Sequence, residues 1–127
     1  MNRLDEKELM NLVTGDPELL VLVDLDTGEE IHYRDSGAFG PMDKDFSGLD
    51  LFERTARYAD EYVVAEEREG FLKEMDPEKL RNAAASGLVT EVNYTAVLDG
   101  EMCRLTTRYI PVQSDGHVIA IKAVTFT

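Results

Sequence analysis

A chain of 127 residues is long enough for one domain that buries about two-thirds of the surface its unfolded form exposes. Its 26 acidic residues outnumber 13 basic ones, and the formal net charge of −13 argues against nucleic acid or an anionic membrane as partners, since both are held through basic surfaces. The single cysteine, Cys103, excludes an internal disulfide and suits a reducing cytoplasm; no apolar run approaches the ~20 residues of a membrane helix, and residues 1 to 15 lack the basic start and apolar middle of a signal peptide.

Residues 2 to 13 carry Leu9, Leu12 and Val13 behind a charged first half, which predicts an amphipathic helix within residues 1–15 that ends near Gly15 and precedes a core over 19–127. Leu19 to Leu25 is apolar except for Asp24, the pattern of a strand flanked on both sides. Asp26-Thr27-Gly28 supplies a turn, and Glu30 to Arg34 alternates polar residues with Ile31 and Tyr33, so two strands form an N-terminal hairpin. Residues 35 to 50, with Gly37, Gly40, Pro41 and Gly48, keep no helix or strand period and read as a mobile loop. Phe52, Thr55, Ala56, Ala59, Tyr62 and Val63 then mark one helical face, and Phe71, Leu72 and Met75 a shorter one. Asp76 before Pro77 is a cap followed by the residue that best suits a first helical position, and Gly87 is a stop.

The last third reads as three strands, 88 to 97, 102 to 112 and 118 to 127, joined by Leu98-Asp99-Gly100 and Ser114-Asp115-Gly116. Each triplet fits a three-residue hairpin loop whose Gly takes positive φ, giving an antiparallel meander. With that loop length, odd residues oppose odd residues on all three strands. The odd face, with Asn93, Thr95, Val97, Cys103, Leu105, Thr107, Tyr109, Ile119, Ile121, Ala123 and Thr125, holds no charge and is expected inside. The even face, with Arg104, Arg108 and Lys122 beside Tyr94, Ile110, Val124 and Phe126, is expected partly wet. Helix, two strands, helices and three strands assemble most simply as an α+β fold: a five-stranded antiparallel sheet in order 2-1-5-4-3, with helices on one face and an N-terminal helix.

Over nearly its whole length the chain resembles a PAS domain, a small sensory module of bacterial signalling proteins. Leu20-Val21-Leu22-Val23-Asp24 with Asp26-Thr27-Gly28-Glu29 resembles the family's first hairpin. Asp99-Gly100-Glu101, Ile110-Pro111-Val112 and the stretch from Asp115-Gly116 to Val124 resemble its closing meander. Tyr62-Val63 followed by Glu66-Glu67-Arg68 is similar to the Y-V-H-P-x-D-R run of members attached to diguanylate cyclases, with Val64-Ala65 where that run has His-Pro. Thr125-Phe126-Thr127 stands where members continue through D-x-T into an effector, as expected of a domain cut from a longer chain. The resemblance implies a linked diguanylate cyclase or histidine kinase.

The family's flavin-binding light sensors carry a reactive Cys in an N-C-R-F-L-Q-like helix, which is missing here, and neither His32 nor His117 falls on a pocket helix as a haem ligand would; no cofactor and no metal are expected. Cys103 in a strand is ordinarily a small buried hydrophobe. The pocket candidates are Tyr33, Asn93, Thr95, Cys103, Leu105, Thr107, Tyr109, Ile121 and Thr125, since uncharged polar groups among apolar walls orient small ligands; the same groups also satisfy one another or bound water. The resulting expectation is a non-catalytic, cytoplasmic sensory or regulatory module that binds a small molecule or mediates dimerisation. The homodimer would be held by the N-terminal helix and the outer sheet face, where Leu9, Leu12 and Val13 meet Tyr94, Ile110, Val124 and Phe126. The alternative is a small α+β cone enzyme of ketosteroid-isomerase or dehydratase type, which needs an inward carboxylate that the odd face does not offer.

Overall fold

The computed structural model describes residues 4–13, 15–37, 50–114 and 116–127. Among them, local sequence signals set most element boundaries. Helix α1, Glu6–Leu12, starts where the Asp5 carboxylate accepts the Lys7 amide (3.0 Å). Strands β1, Leu19–Asp24, and β2, Glu30–Asp35, form the first hairpin. Helix α2, Leu51–Glu61, is capped by Asp50 on the Glu53 amide (2.9 Å), and α3, Ala65–Glu74, follows directly. Helix α4, Pro77–Ala85, has Asp76 accepting from the Lys79 amide (3.1 Å) and Gly87 at φ +76° beyond its end, so both sequence signals act there. Strands β3, Thr90–Leu98, β4, Glu101–Val112, and β5, Ile119–Phe126, close the chain.

The five strands form one antiparallel sheet in the order β2-β1-β5-β4-β3, the expected α+β arrangement. The sheet has an apolar cluster on each face. On the inner face Leu51, Ala59, Phe71, Met75 and Leu80 of α2 to α4 pack on Val21, Val23, Val92, Tyr94, Leu105, Tyr109 and Val124. On the outer face Leu9 and Val13 pack on Leu20, Leu22, Ile119, Ile121 and Ala123. Leu9 is wholly buried there, a gain of about 2 kcal/mol for a seven-residue helix too short to persist alone. The segment between α2 and α3 covers the β3 edge: the Val64 amide donates to the Thr95 carbonyl (3.0 Å) and the Val97 amide to the Tyr62 carbonyl (2.8 Å).

The face assignment of the meander needs correction on two of its three strands. Asp99 and Gly100 both have positive φ, +51° and +79°, the signature of a two-residue type I′ turn, and Leu98 pairs directly with Glu101. Between β4 and β5 Val112 pairs with Ile119. At both junctions odd residues therefore oppose even ones. The odd residues of β4 do face the helices, but on β3 and β5 the even residues do: Val92, Tyr94, Ala96, Ala120 and Val124 belong to the inner cluster, and Ile119, Ile121 and Ala123 to the outer one.

The apolar patch assigned to a dimer changes with it. Tyr94 and Val124 lie inside, Leu9 is consumed against its own sheet, and Ile110 packs under α1; Leu12 and Phe126 remain about half exposed. The loop expected over residues 35 to 50 falls largely on 38–49, outside the described residues, as does Asp115 of the second turn.

Candidate functional site

Because side chains alternate along each strand, the register dictates which groups share the inner face. One row runs across it as His32, Val21, Lys122 and Tyr109, and the next as Asp35, Leu19, Val124 and Thr107. Arg54, Thr55 and Tyr58 of α2, Phe71 of α3 and Met75 at its end face these rows. Between sheet and helices lies a cavity of about 90 Å³, lined by these groups together with Glu30 and Tyr94.

The polar lining falls into two sets. In the first, hydroxyls connect: Tyr94 Oη lies 3.2 Å from Tyr58 Oη and 3.1 Å from Thr107 Oγ1. The Phe71 ring meets Tyr94 edge-on at 4.7 Å between centroids, which fixes the ring that carries the central hydroxyl. Burial pushes the Tyr58, Tyr94 and Tyr109 phenols up from their ordinary value, so all three are neutral.

The second set is charged. Glu30 has Oε2 3.5 Å from His32 Nε2 and Oε1 3.7 Å from Arg54 Nη1. Burial alone would raise its pKa, but His32, Lys122 and Arg54 outweigh that and hold the carboxyl below the ordinary glutamate value. Lys122 keeps partial exposure by area, yet enough protein surrounds its ammonium that desolvation pushes its pKa down, Glu30 pulling it back and Arg54 adding to the fall. No carboxylate lies within 4 Å of the Lys122 ammonium among the described residues.

Of the residues singled out from the sequence, Thr107 and Tyr109 line this cavity. Leu105 is fully buried in the inner cluster and Cys103 half-buried against it. Asn93, Thr106 and Thr125 form an outer-face row, with Thr106 Oγ1 2.6 Å from Asn93 Oδ1, and Thr95 accepts from Arg104 on the same face (3.0 Å). Ile121 sits under α1. Tyr33 joins it there with Ile31, since residues two apart on a strand share a face and His32 between them faces inward. The cavity residues that sequence reasoning passed over include Glu30, His32, Arg54, Tyr58, Tyr94 and Lys122. The signal that could have found Tyr94 and Lys122 is the type I′ preference of a two-residue Asp-Gly turn.

A second cluster, Asp24, Asp26 and His117, sits at the end of the sheet. Their ligand-type atoms lie within 4.8 Å of one another, so the trio has the composition to hold a metal ion. Its oxygens already have donors. Asp24, 1% exposed, accepts from the Asp26 (2.9 Å) and Thr27 (3.1 Å) amides through Oδ1 and from His117 Nδ1 through Oδ2. Asp26 accepts from Arg81 of α4 and from the Val118 amide (2.8 Å). Asp24, the buried polar exception in the apolar run from Leu19 to Leu25, thus forms with Asp26 a clamp joining the β1–β2 turn, α4 and the start of β5.

No family model and no curated protein sequence matches the chain. Solved structures do. An RNA-binding light-oxygen-voltage receptor superposes with a TM-score of 0.56 at 12% identity, covering 85% of this chain. A domain described as part of a light- and redox-sensing histidine kinase from Haloarcula marismortui superposes with a TM-score of 0.50 at 12% identity, over 95% of this chain and 98% of that domain. The fold is PAS-like. At such identity the likeness concerns the fold alone, and the chain spans 28% of the length of the light-oxygen-voltage receptor. Among the described residues no helix is long and apolar enough to cross a membrane.

Proposed function

We propose that the chain is a sensory module in which a small molecule held between the sheet and helices α2 and α3 controls a linked effector, a diguanylate cyclase or a histidine kinase. The observation that carries this reading is the cavity itself. A fold of this size has no structural need for Glu30, Arg54 and Lys122 on the inner side of its sheet, because apolar groups of equal volume pack there at lower desolvation cost. Polar groups kept against that cost, beside the apolar walls Leu19, Phe71, Met75 and Val124, are the composition of a ligand site. A ligand would act by favouring one of two arrangements of β5, which contributes Lys122 and Val124 to the cavity and Ile121 to the bed of α1.

The inward carboxylate that a cone isomerase requires is present as Glu30. Its partners hold it ionised and engaged, which suits electrostatic positioning better than proton abstraction. Homodimerisation through α1 and the outer face belongs to the same proposal, supported by the exposed Leu12 and Phe126. Light scattering on the chain with and without residues 1 to 13 tests it, and a monomer at tens of micromolar removes it.

The ligand reading is tested by mass spectrometry of compounds released on denaturing the purified protein, alongside amide NMR of cavity residues during a small-molecule screen. A retained compound, or a hit that shifts Leu19, Tyr109, Lys122 and Val124 together, supports it. Empty protein whose cavity amides respond to nothing refutes it.

A further inference from the structure

Resting on that reading, we infer that the cavity takes a small monocarboxylic acid, with the carboxylate at Lys122 and Tyr109 and a short apolar body toward Phe71 and Met75. Charge arrangement comes first. Glu30 is matched by His32 at 3.5 Å and Arg54 at 3.7 Å. Asp35, at the mouth, turns its carboxylate back onto the Gly37 amide (2.9 Å). Lys122 feels Glu30 and Arg54 only at a distance, and among the described residues it is the cavity cation without a carboxylate within 4 Å. A desolvated ammonium left in this way costs free energy that an incoming anion recovers.

Geometry adds the second donor. Tyr109 is the direct cross-strand partner of Lys122, is 2% exposed, and lines the same cavity. Its neutral phenol can donate to an acceptor there. An ammonium and a hydroxyl side by side on one wall match the two oxygens of a carboxylate. The opposite wall carries Phe71 and Met75 beside Arg54, Thr55 and Tyr58, and the two apolar side chains offer packing that a wholly hydrated anion such as phosphate cannot use; the volume of about 90 Å³ suits a body of a few carbons.

The test is an amide NMR titration of the 127-residue chain with butyrate, its neutral isostere butyramide and inorganic phosphate. Butyrate should bind at least about tenfold more tightly than butyramide, the factor expected of one hydrogen bond to a charged group, and should shift Leu19, Tyr109, Lys122 and Val124; phosphate should leave them in place. Lys122→Met should abolish the preference for the acid, and Tyr109→Phe should reduce it several-fold. Equal affinity for acid and amide at those residues overturns the carboxylate assignment and leaves the ligand cavity standing. Lack of response to both compounds also overturns it, while the sensory reading falls only if purified protein retains no compound as well. A phosphate response matching that of butyrate overturns the apolar-body assignment. Should Lys122→Met fail to fold, the preference in the unaltered chain and its several-fold reduction in Tyr109→Phe decide the outcome.

Discussion

Replacing Asp24 with alanine probes the clamp at the end of the sheet. Its carboxylate is buried and receives the Asp26 amide at 2.9 Å, the Thr27 amide at 3.1 Å and His117 Nδ1. The two amides lose a charged acceptor in partly buried surroundings, at about 1.5 kcal/mol each, so the Asp24→Ala loss should be about 3 kcal/mol. For a chain of this length that lowers Tm by roughly 10 °C. Asp24→Asn keeps an acceptor for the amides and should lose about 1 kcal/mol. Urea unfolding followed by far-ultraviolet circular dichroism gives both values. The pH dependence is an independent arm. Burial opposes ionisation of Asp24, but His117 and the two amides hold its pKa below the ordinary 3.8, so its stabilisation is present above that value and lost as pH falls through the folded pKa. The hydrogen bond that His117 donates to Asp24 raises His117 above its ordinary 6.5, so that contribution is complete below 6.5 and lost as pH rises through the folded pKa. The difference between unaltered chain and Asp24→Ala should therefore peak between about pH 4 and about pH 6.5 and shrink on either side. A difference below about 0.5 kcal/mol, or one that is flat from about pH 5 to about pH 9, would refute the clamp.

Leu9→Ala should cost about 2 kcal/mol and release amide protection in α1 while the inner face stays protected, as read by hydrogen exchange; uniform loss of protection would contradict the separate outer cluster. Gly28→Ala should cost about 2 kcal/mol, combining φ +82° with a Cβ only 3.2 Å from Asp50 Cβ, whereas Gly37→Ala, at φ +83° in open space, should cost about 1 kcal/mol; equal losses in thermal melts would exclude the contact. Tyr94→Phe removes the hydroxyl between Tyr58 and Thr107 and should cost about 1 kcal/mol, less than additively with Tyr58→Phe; strict additivity in the double-mutant cycle would mean the hydroxyls act separately.

The architecture was legible because each of its signals is local. Asp76-Pro77 and Gly87 bracket α4 where their capping chemistry says they should, and the apolar run Leu19 to Val23 of β1 reflects a strand with neighbours on both sides, β2 and β5. Strand order followed from short connections and an antiparallel meander. The Asp24 clamp was not legible, since its partners, His117 and the Thr27 amide, lie 93 and 3 residues away, and only the first separates a buried network from an ordinary turn.

The cavity was hidden by a different kind of error, one that a single residue of loop length controls. In a strand of period two, reading Leu98-Asp99-Gly100 as the loop instead of Asp99-Gly100 exchanges every side chain of β3 between faces, and the same slip at the β4–β5 junction exchanges β5. Strand β4, the reference for both, kept Thr107 and Tyr109 inside, whereas Asn93, Thr95, Ile121 and Thr125 went to the outer face and Tyr94, Lys122 and Val124 came in. A rule that sends charge outward could not have repaired this, because the true register is the one that violates it: Lys122 lies inside, between Val21 and Tyr109 on adjacent strands, in a strand whose neighbours Ile121 and Ala123 are apolar and face the other way. A lysine that local patterning would place in solvent and that the sheet instead turns toward a cavity is a conflict between levels of structure, and such conflicts concentrate where a sequence is shaped by something besides stability.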